Sequence, residues 1–285
     1  MSQQTTRGDY AVRLDRVITW MAEHLDGTLD LARLADVACM SPYHFHRIYH
    51  AMQGETVATT VRRLRLHRAA VELIAGSLPV ERIARRAGYA SQEAFTRAFK
   101  AAYGEPPARY RASFVPIPKT SAKEDTMETT ITPEVTIRET PPIRVAALGH
   151  SGDYQQIGAT FERLVAMAAG QGLLGPSTRS FGIYYDDPAS TPKGSLRSEA
   201  CTTVPPGWTP SGELELREIR GGRYSVALHV GPYAELGRAY TWLFGTWLPG
   251  SGEEAADAPC VEEYLNDPHT LPPTEWKTEI WLPLR

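Results

Sequence analysis

The chain contains Ser41–Tyr49 (SPYHFHRIY) and, fifty residues further on, the closely similar Ser91–Phe99 (SQEAFTRAF). In each stretch a serine opens a short segment whose aromatic residues recur at helical spacing, which leaves arginine and polar side chains on the opposite face. A short apolar segment and a turn precede each stretch, with Leu34 before the first and Ile83 before the second. The sequence therefore predicts two helix-turn-helix motifs, in each of which the second helix suits the major groove of DNA.

The same periodicity predicts seven helices before residue 115. They span Leu14–Leu25, Asp30–Ala38, Pro42–Met52, Thr56–Ala75, Val80–Ala87, Gln92–Tyr103 and Pro107–Phe114. The third and sixth are the DNA-reading helices, and the fourth links the two motifs. Exposed arginines on the fourth helix suit either phosphate contacts or an ordinary solvated surface. They are Arg62, Arg63, Arg65 and Arg68. Cys39 stands in the first turn where the second turn has Gly88, so the first turn is expected to differ slightly.

Length and charge indicate two domains with different partners. A chain of 285 residues is most simply two domains. Residues 1–112 hold 16 Lys and Arg against 11 Asp and Glu, whereas residues 113–285 hold 14 against 22. The basic half suggests a polyanionic partner, and the acidic half suggests either cationic ligands or simple solubility. Residues 115–128 mix proline, serine, threonine and charge without periodicity, which predicts a linker.

Composition argues against several classes of protein. The three cysteines are isolated, which predicts a reducing cytoplasm and neither a disulfide framework nor a zinc site. They are Cys39, Cys201 and Cys260. His44, His46 and His50 have metal-like spacing but no Cys or carboxylate partner, so neither a metal nor a cofactor is expected. The polar N-terminus lacks the apolar region of a signal peptide, and no apolar run approaches the length of a membrane span.

Residues 10–114 resemble the DNA-binding domain of the AraC/XylS family of bacterial transcription regulators. The resemblance rests on Ile83–Arg111, which contains Ile-Ala, Gly-Tyr, Ser-Gln, Phe, Arg, Phe-Lys, Tyr-Gly, Pro-Pro and Tyr-Arg at the family's spacing. It implies an all-α domain with two helix-turn-helix motifs that binds double-stranded DNA. The residues that it implies to face bases are Tyr43, His46 and Arg47 on the first reading helix and Gln92, Glu93, Thr96 and Arg97 on the second. Lys100 shares the exposed face of the second helix by its spacing.

The chemistry of these side chains agrees with base reading. Arginine can bridge two acceptors of guanine, and glutamine can bridge a donor and an acceptor of adenine. Arg47 and Arg97 occupy matched positions in matched helix pairs, which favours reading over the role of an ordinary surface arginine. Two reading helices on one chain imply one asymmetric site, with the helices in major-groove segments about 34 Å apart. RNA polymerase is the protein partner that such a regulator implies.

The second half of the chain also repeats, at an offset of 79 residues. Val135–Glu139 matches Leu214–Glu218, and Phe181–Tyr185 aligns with Cys260–Tyr264. Each repeat predicts two strands, a helix and two further strands. The two helices are Ile157–Gly170 and Leu236–Leu248. Residues 129–285 are therefore predicted to form an α+β domain with antiparallel sheets, built from a duplicated strand-strand-helix-strand-strand unit around a cleft.

The aligned strands of the two repeats differ at one informative position. Glu262 stands where the first repeat holds Ile183, and strand alternation places it on one face with Tyr264. A carboxylate in an aromatic cleft is costly unless it is paired, and a cationic ligand would provide the pairing together with cation–π contacts. The alternatives are an arginine partner or solvent exposure for Glu262, and core packing for the aromatic residues. The candidate cleft walls are Tyr154, Tyr185, Trp208, Tyr233, Trp242, Tyr264 and Trp281.

Residues 129–285 resemble the GyrI-like effector-binding domain. The stretches Cys260–Pro268 and Thr278–Leu284 carry the resemblance. It implies a domain that binds hydrophobic, often cationic, drugs, and the glutamate that reads the ligand falls on Glu262. Val261 stands where a Phe is expected, so the pocket wall is predicted to be smaller there.

Together the two halves predict a multidomain, one-component transcription regulator of the cytoplasm and nucleoid, without catalytic residues. A small, hydrophobic, cationic molecule in the C-terminal domain would shift DNA binding through its different affinity for two states. Glu279 is a weaker ligand candidate than Glu262, because Glu199 repeats it and a structural role is indicated. The alternatives are a hydrolase, in which Glu262 and a neighbouring tyrosine act as general base, or a domain that contacts another protein. The hydrolase lacks a recognisable nucleophile–base pair or set of metal ligands.

Overall fold

The computed structural model describes residues 3–76, 78–112 and 133–285, with side chains from residue 8 onward. The predicted linker 115–128 lies outside the described residues, and the predicted domain boundaries remain a prediction. By internal contacts the chain divides into two compact units that do not follow chain order. One unit holds Met1–Leu14, Ala35–Thr56 and Thr132–Arg285, and the other holds Asp15–Leu34 and Val57–Ile131. The first reading helix is therefore grouped with the C-terminal half.

The N-terminal part is helical, as the sequence predicts. Its helices are α1 (Gln3–Glu23), α2 (Leu31–Ala38), α3 (Pro42–Gln53), α4 (Val57–Ala75), α5 (Val80–Arg86), α6 (Gln92–Tyr103) and α7 (Pro107–Ala112). The predicted bounds of α6 are confirmed, and those of α3 and α5 are within one residue. Helix α1 begins well before Leu14, because its first turns are polar and show no apolar periodicity, although Tyr10 is buried.

The turn between α2 and α3 contains a strained residue. Cys39 has a φ of 53°, the only positive φ of a non-glycine residue in the described ranges. Its amide donates to the carbonyl of Asp36. The equivalent turn before α6 has Gly88 at a φ of 83°, and the amide of Gly88 donates to the carbonyl of Arg85 in the same way. The two turns thus share one geometry, contrary to the difference expected from the sequence, and Cys39 bears the cost of a left-handed conformation.

Replacing Cys39 with glycine is expected to raise the free energy of unfolding by about 0.5–1 kcal/mol. Glycine removes the strain of the left-handed conformation, and its greater freedom in the unfolded chain offsets part of the gain. Urea denaturation under reducing conditions measures the change. The matched control is Gly88→Ala, which is expected to destabilise, because a Cβ there would lie 2.8 Å from Nη1 of Arg65. A loss of stability in Cys39→Gly would contradict the left-handed turn.

The second helix-turn-helix has its own apolar core. Helices α4, α5 and α6 bury Leu73, Ile83, Phe95 and Phe99, and each of these side chains has no exposed surface. The Oγ of Ser91 caps α6 by accepting a hydrogen bond from the amide of Ala94 at 3.2 Å. The face of α6 opposite Phe95 and Phe99 is therefore held at the surface.

Within the described ranges, no helix combines the length and the apolar character that crossing a bilayer requires.

The C-terminal half forms an eight-stranded antiparallel sheet. Its strands are β1 (Val135–Thr140), β2 (Ile143–Ser151), β3 (Ser180–Tyr184), β4 (Arg197–Thr203), β5 (Glu215–Ile219), β6 (Gly222–Val230), β7 (Cys260–Tyr264) and β8 (Lys277–Pro283). Helix α8 (Gly158–Gly170) joins β2 to β3. Helix α9 (Leu236–Trp242), a π-helical turn (Leu243–Trp247) and α10 (Leu248–Ser251) join β6 to β7.

The strand order is β1-β6-β8-β7-β3-β4-β2-β5. When β1–β4 are renumbered as β5–β8 and the reverse, the same order results, read from the other end of the sheet. Strands β3 and β7 are neighbours at its centre. This is the order that a duplicated strand-strand-helix-strand-strand unit would give. The duplication itself stays a prediction.

The two faces of the sheet bury different sets of residues. One face carries the apolar cluster that includes Phe181, Ile183, Val261 and Trp281. The other face packs against α8, where Leu164 meets strand residues such as Ala146 and Ala200.

The central strand pair corrects one step of the sequence alignment. Gly182 lies directly opposite Glu262, whereas Ile183 lies opposite Val261. Residues opposite each other in antiparallel strands share a face, so Glu262 and Ile183 lie on different faces. The predicted equivalence of Glu262 with Ile183 is therefore wrong, and Gly182 is the counterpart. The offset of 79 residues is one residue too small at this strand pair, since it aligns Glu262 with Ile183 instead of Gly182.

Candidate functional site

A buried carboxylate lies at the centre of the sheet. Glu262 on β7 is only 4% exposed. Its Oε1 accepts a hydrogen bond from the hydroxyl of Tyr240 on α9 at 3.0 Å, and its Oε2 accepts one from the hydroxyl of Tyr264 at 2.9 Å. The hydroxyls of Tyr264 and Tyr184 share a further hydrogen bond of 2.6 Å. Three tyrosines from two strands and a helix thus surround one carboxylate.

Glycine at position 182 leaves room for this cluster. A Cβ on Gly182 would lie 2.7 Å from Cε2 of Tyr184 and 3.0 Å from the hydroxyl oxygen of Tyr264. These distances are too short for a real Cβ, so a larger residue would displace the tyrosine rings. Opposite Glu262, strand β3 therefore carries no side chain, and the tyrosines fill the space.

Burial governs the electrostatics of the cluster. Desolvation raises the pKa of Glu262, while hydrogen bonds from Tyr264 and Tyr240 and the charge of Arg47 act in the opposite direction. Desolvation, followed by the negative charge of Glu262, holds the pKa values of Tyr184, Tyr240 and Tyr264 well above 10. The three phenols therefore stay protonated and can act as donors to a carboxylate near neutral pH.

A second layer of aromatic rings packs around the three tyrosines. Tyr154 contacts Tyr184 edge-on, with ring centroids 4.8 Å apart. Tyr233 contacts Tyr264 at 5.4 Å, and its ring also meets Trp276 at 4.5 Å. The structure thus brings four of the predicted residues together, namely Glu262, Tyr154, Tyr233 and Tyr264.

The remaining predicted wall residues lie elsewhere in the described structure. Trp281 is on the opposite face of the sheet from Glu262, because it pairs with Val261. Tyr185 packs on that same opposite face, where its hydroxyl donates to Glu199 at 3.0 Å. Trp208 packs on the cluster under α8, and its Nε1 donates to Gln171. Trp242 is half-buried on α9.

Sequence reasoning missed two of the three tyrosines that surround the carboxylate. Tyr184 and Tyr240 were not among the candidate walls, although each contributes a hydroxyl to the cluster. With the corrected register, alternation along β3 places Tyr184 on the same face as Gly182. Tyr240 lies on the aromatic helix α9, and no pattern in the sequence singles it out from its neighbours.

The face of the sheet opposite Glu262 carries two ion pairs that fit a structural role. Glu279 accepts two hydrogen bonds from Arg138, each 2.7 Å long, and a third from Nε1 of Trp281 at 3.1 Å. Glu199, its counterpart in the other repeat, accepts from Arg217 at 3.1 Å. Both carboxylates are thus held by an arginine, in agreement with the structural role that the repetition indicates.

The second reading helix presents a polar surface. Gln92, Glu93, Arg97 and Lys100 on α6 are exposed, and Thr96 is half-buried between them. A hydrogen bond from its own amide, a second from the hydroxyl of Ser91 and the charge of Arg97 keep the pKa of Glu93 below its usual value. All five predicted residues of α6 therefore lie on the face away from the apolar core.

Two of the four arginines on α4 are held by backbone carbonyls. Nε of Arg65 donates to the carbonyl of Leu25 at 3.0 Å. Nη2 of Arg68 donates to the carbonyl of Arg86 at 2.7 Å and forms an ion pair with Asp26 at 2.8 Å. These contacts favour a structural role for Arg65 and Arg68 over phosphate contacts. Arg62 and Arg63 are exposed on the same helix.

The first reading helix has a different environment, because two of its three predicted base-facing side chains, His46 and Arg47, contact the loop after β3. Nδ1 of His46 lies 2.7 Å from Oγ of Ser190. Nη2 of Arg47 donates to the carbonyl of Asp186 at 3.0 Å. Tyr43 is 39% exposed. In this conformation His46 and Arg47 are occupied by protein contacts, which distinguishes α3 from α6.

Comparison with known proteins agrees with both halves of the structure. The profile of the GyrI-like small molecule binding domain matches residues 133–285, which is more than half of the chain. The profile of a helix-turn-helix domain matches residues 34–113. Among the residues that the structure describes, no group of three or more His, Cys, Asp or Glu side chains has the arrangement of a metal site.

Several of the similar proteins are transcriptional regulators. The chain is 26% identical over 294 residues to the transcriptional regulator Rob of Salmonella typhimurium, over 97% of this chain and 99% of Rob. It is 29% identical over 159 residues to the probable transcriptional regulator YgiV of Escherichia coli, over 55% of this chain and 99% of YgiV. A solved EcmrR–DNA complex superimposes with a TM-score of 0.49 at 20% identity, over 55% of this chain and 59% of that chain. The chain therefore belongs to the GyrI-like small molecule binding family and is a transcriptional regulator that joins this domain to an AraC-type helix-turn-helix domain.

Proposed function

We propose that this regulator senses a hydrophobic cation at Glu262. The observation that carries the proposal is a carboxylate, 4% exposed, whose hydrogen-bond donors are the neutral hydroxyls of Tyr240 and Tyr264. Phenol hydrogen bonds lower the cost of burying a negative charge without neutralising it. A ligand cation would supply the missing charge, and the surrounding rings would add cation–π attraction. Because the carboxylate is covered, some of its neighbours must move before a ligand reaches it.

Titration calorimetry of the full chain tests this function. The probes are benzyltrimethylammonium and neopentylbenzene, an uncharged molecule of the same shape. The proposal expects saturable binding of the cation and much weaker binding of the neutral probe, because only the cation pairs with Glu262. Equal affinity for the two probes would mean that an apolar pocket binds both and that the carboxylate does not contribute. This result would contradict the proposal.

We expect Arg97→Ala to weaken binding to a selected DNA site by about 1–3 kcal/mol, since Arg97 is exposed on α6 and can bridge guanine. Fluorescence anisotropy at fixed salt measures the loss, with scrambled DNA run beside the selected site. The charge-matched control is Arg163→Ala on α8, which removes an exposed arginine paired with Glu213. A loss of equal size on both DNAs would assign Arg97 to phosphate contacts instead of base reading.

The role that we propose for the domain is binding, not catalysis. Glu262 accepts two phenol hydrogen bonds, and these favour its charged form as a fixed counter-charge over a proton acceptor. The cellular location in the cytoplasm and nucleoid follows from the regulator class, and RNA polymerase remains the protein partner that this class implies. The predicted contacts of Tyr43, His46 and Arg47 with bases belong to this proposal as well, with the condition that α3 leaves its present contacts.

A further inference from the structure

An arginine from the first reading helix lies beside the proposed ligand site. The guanidinium carbon of Arg47 is 4.5 Å from the ring centroid of Tyr240 and 5.7 Å from that of Phe244. Tyr240 is also the tyrosine that donates to Oε1 of Glu262. The ring of Tyr240 therefore contacts Arg47 on its face, and its hydroxyl binds Glu262.

The surroundings of Arg47 are those of a bound organic cation. One guanidinium nitrogen, Nη2, donates to the carbonyl of Asp186, while Nη1 is shielded from solvent and has no hydrogen-bond partner among the described residues. The guanidinium also lies near the thiol of Cys260. A buried arginine is usually held by a carboxylate in a two-bond geometry. Here aromatic faces and the nearby charges of Asp187 and Glu262 take the place of such a pair. A site for hydrophobic cations would hold its ligand in the same way.

The helix that carries Arg47 is closely packed on the sheet domain. A Cβ on Gly245, in the π-helical turn Leu243–Trp247, would lie 2.9 Å from the carbonyl oxygen of Ala51 on α3. The ring of His44 packs against that of Phe244 in a tilted arrangement, with centroids 5.5 Å apart. Oγ of Ser41 donates to Asp257 at 2.9 Å. Together with the His46–Ser190 contact, these interactions cover the side of α3 that carries His46 and Arg47, whereas Tyr43 stays exposed.

We propose that Arg47 is a tethered competitor of the ligand: it occupies the cation position beside Tyr240 and Glu262, and a cationic ligand displaces it and frees α3 for DNA. This proposal rests on the proposed function and names how the same site is regulated. Ligand and Arg47 compete for one carboxylate and one aromatic face. A chain with α3 bound to the sheet domain has a closed site and a covered reading helix, and a chain with α3 released has an open site and a free helix.

Linkage gives the proposal a two-way consequence. If the ligand favours the released state, then specific DNA, which needs α3, favours the same state. Cation and specific DNA are therefore expected to bind cooperatively, and each raises the affinity of the other by the same factor. The contact of α3 with the sheet domain thus links binding of the cation to binding of DNA, and Glu262 itself need not change.

Calorimetry with benzyltrimethylammonium on two kinds of variant tests the competition. Arg47→Gln removes the competing cation, and its affinity for the probe is expected to rise at least about fivefold, at the lower end of typical coupling between sites. Ser190→Ala removes the contact with His46 and a 3.3 Å hydrogen bond from the same hydroxyl to the carbonyl of Asp187 within the exposed loop. It leaves every charge in place and is expected to shift affinity in the same direction by a smaller factor. Arg163→Gln, which removes the same charge on α8, is expected to leave the affinity unchanged.

The two variants separate displacement from simple electrostatics. A gain in Arg47→Gln with no gain in Ser190→Ala would show that Arg47 acts only through its charge, and would overturn the release of α3. Unchanged or reduced affinity in Arg47→Gln would overturn the competition, even where Glu262 is shown to hold the cation. Binding of the cation by Arg47→Gln but not by the native chain would support the competition strongly. Failure of both chains to bind the cation would reject this proposal together with the proposed function.

Specific DNA provides the second readout. The native chain is expected to bind its DNA site at least about fivefold more tightly when benzyltrimethylammonium is saturating. In Ser190→Ala the affinity for DNA without ligand is expected to be higher than in the native chain, and the stimulation by ligand smaller. A native chain whose DNA affinity does not respond to a ligand that calorimetry shows to be bound would overturn the coupling while leaving the ligand site intact.

Discussion

Replacing Glu262 with glutamine is expected to lower the affinity for benzyltrimethylammonium by about 2–5 kcal/mol, or roughly thirtyfold at the least, and to spare neopentylbenzene. The cation would then enter an apolar, water-poor site that still removes its hydration but no longer supplies a negative charge. Glutamine keeps the size of the side chain. Its carbonyl oxygen can accept from one of the hydroxyls of Tyr240 and Tyr264 while its NH2 group donates to the oxygen of the other, so that the rings stay in place.

The neighbouring residue provides the control for this prediction. Glu263 points to the opposite face, where Arg179 binds it through two hydrogen bonds of 2.6 and 2.8 Å. Glu263→Gln removes the same charge one residue away and is expected to destabilise the fold without changing the affinity for the cation. Comparable losses of affinity in the two variants would mean that the general negative field of the domain attracts the cation, and would contradict a specific role for Glu262.

The same carboxylate predicts a pH dependence. Burial raises the pKa of Glu262 above its usual 4.5, so the affinity for the cation should increase as the pH rises through that raised value. The free energy of unfolding should change in the opposite direction. The raised pKa of Glu262 contributes stability at pH values below the pKa of this group in the unfolded chain, and that contribution is lost as the pH rises through its pKa in the folded chain. Tyr184, Tyr240 and Tyr264, whose pKa values lie well above 10, stay protonated over this range. In Glu262→Gln the contribution of this carboxylate to both dependences should disappear, which calorimetry and urea denaturation at several pH values can measure against the native chain.

The sequence predicts most of the helical part, because each helix there carries its own signals. Helix α6 begins after the N-cap Ser91 and ends at Gly104, which takes a φ of 83°, and its apolar face follows from the spacing of Phe95 and Phe99. These signals are local, so they survive without knowledge of the tertiary structure. The order of strands and helices in the second half was predictable for the same reason.

The composition of the site was less predictable, because side chains alternate between faces along a strand. A one-residue error in the alignment of the repeats assigned Glu262 to the position of Ile183 and so mixed the two faces. Tyr185 and Trp281 then entered the list of cleft walls although they lie on the other face, and Tyr184 was left out. A period of two residues makes every face assignment depend on exact register.

The position of Arg47 depends on contacts between segments distant in the chain. Its partner Asp186 lies 139 residues further on, and nothing local distinguishes Arg47 from Arg97, its match in the second motif. The repeated sequence predicts the same role for both arginines, yet only Arg97 is exposed. Duplicate motifs thus share their local fold while tertiary contacts give them different surroundings.

Replacing Trp281 with alanine is expected to lower the free energy of unfolding by about 3–5 kcal/mol, which is the usual cost of truncating a large buried aromatic residue. Trp281 is 2% exposed and packs edge-on against Phe181, with centroids 5.9 Å apart, and against Tyr224 at 5.5 Å. Its Nε1 also donates to Glu279. Urea denaturation monitored by circular dichroism measures the loss, because removal of this tryptophan changes the fluorescence signal itself.

Trp281→Phe separates packing from ligand binding at the same position. Phenylalanine fills most of the volume, and Glu279 keeps both hydrogen bonds from Arg138, so the expected loss is about 1–2 kcal/mol. The affinity for benzyltrimethylammonium should not change, because the indole lies on the face of the sheet opposite Glu262. A large loss of affinity in this folded variant would place the ligand on the Trp281 face and would contradict the site at Glu262. The single substitution therefore tests which face of a two-faced sheet the ligand uses, a choice that strand alternation makes all-or-none.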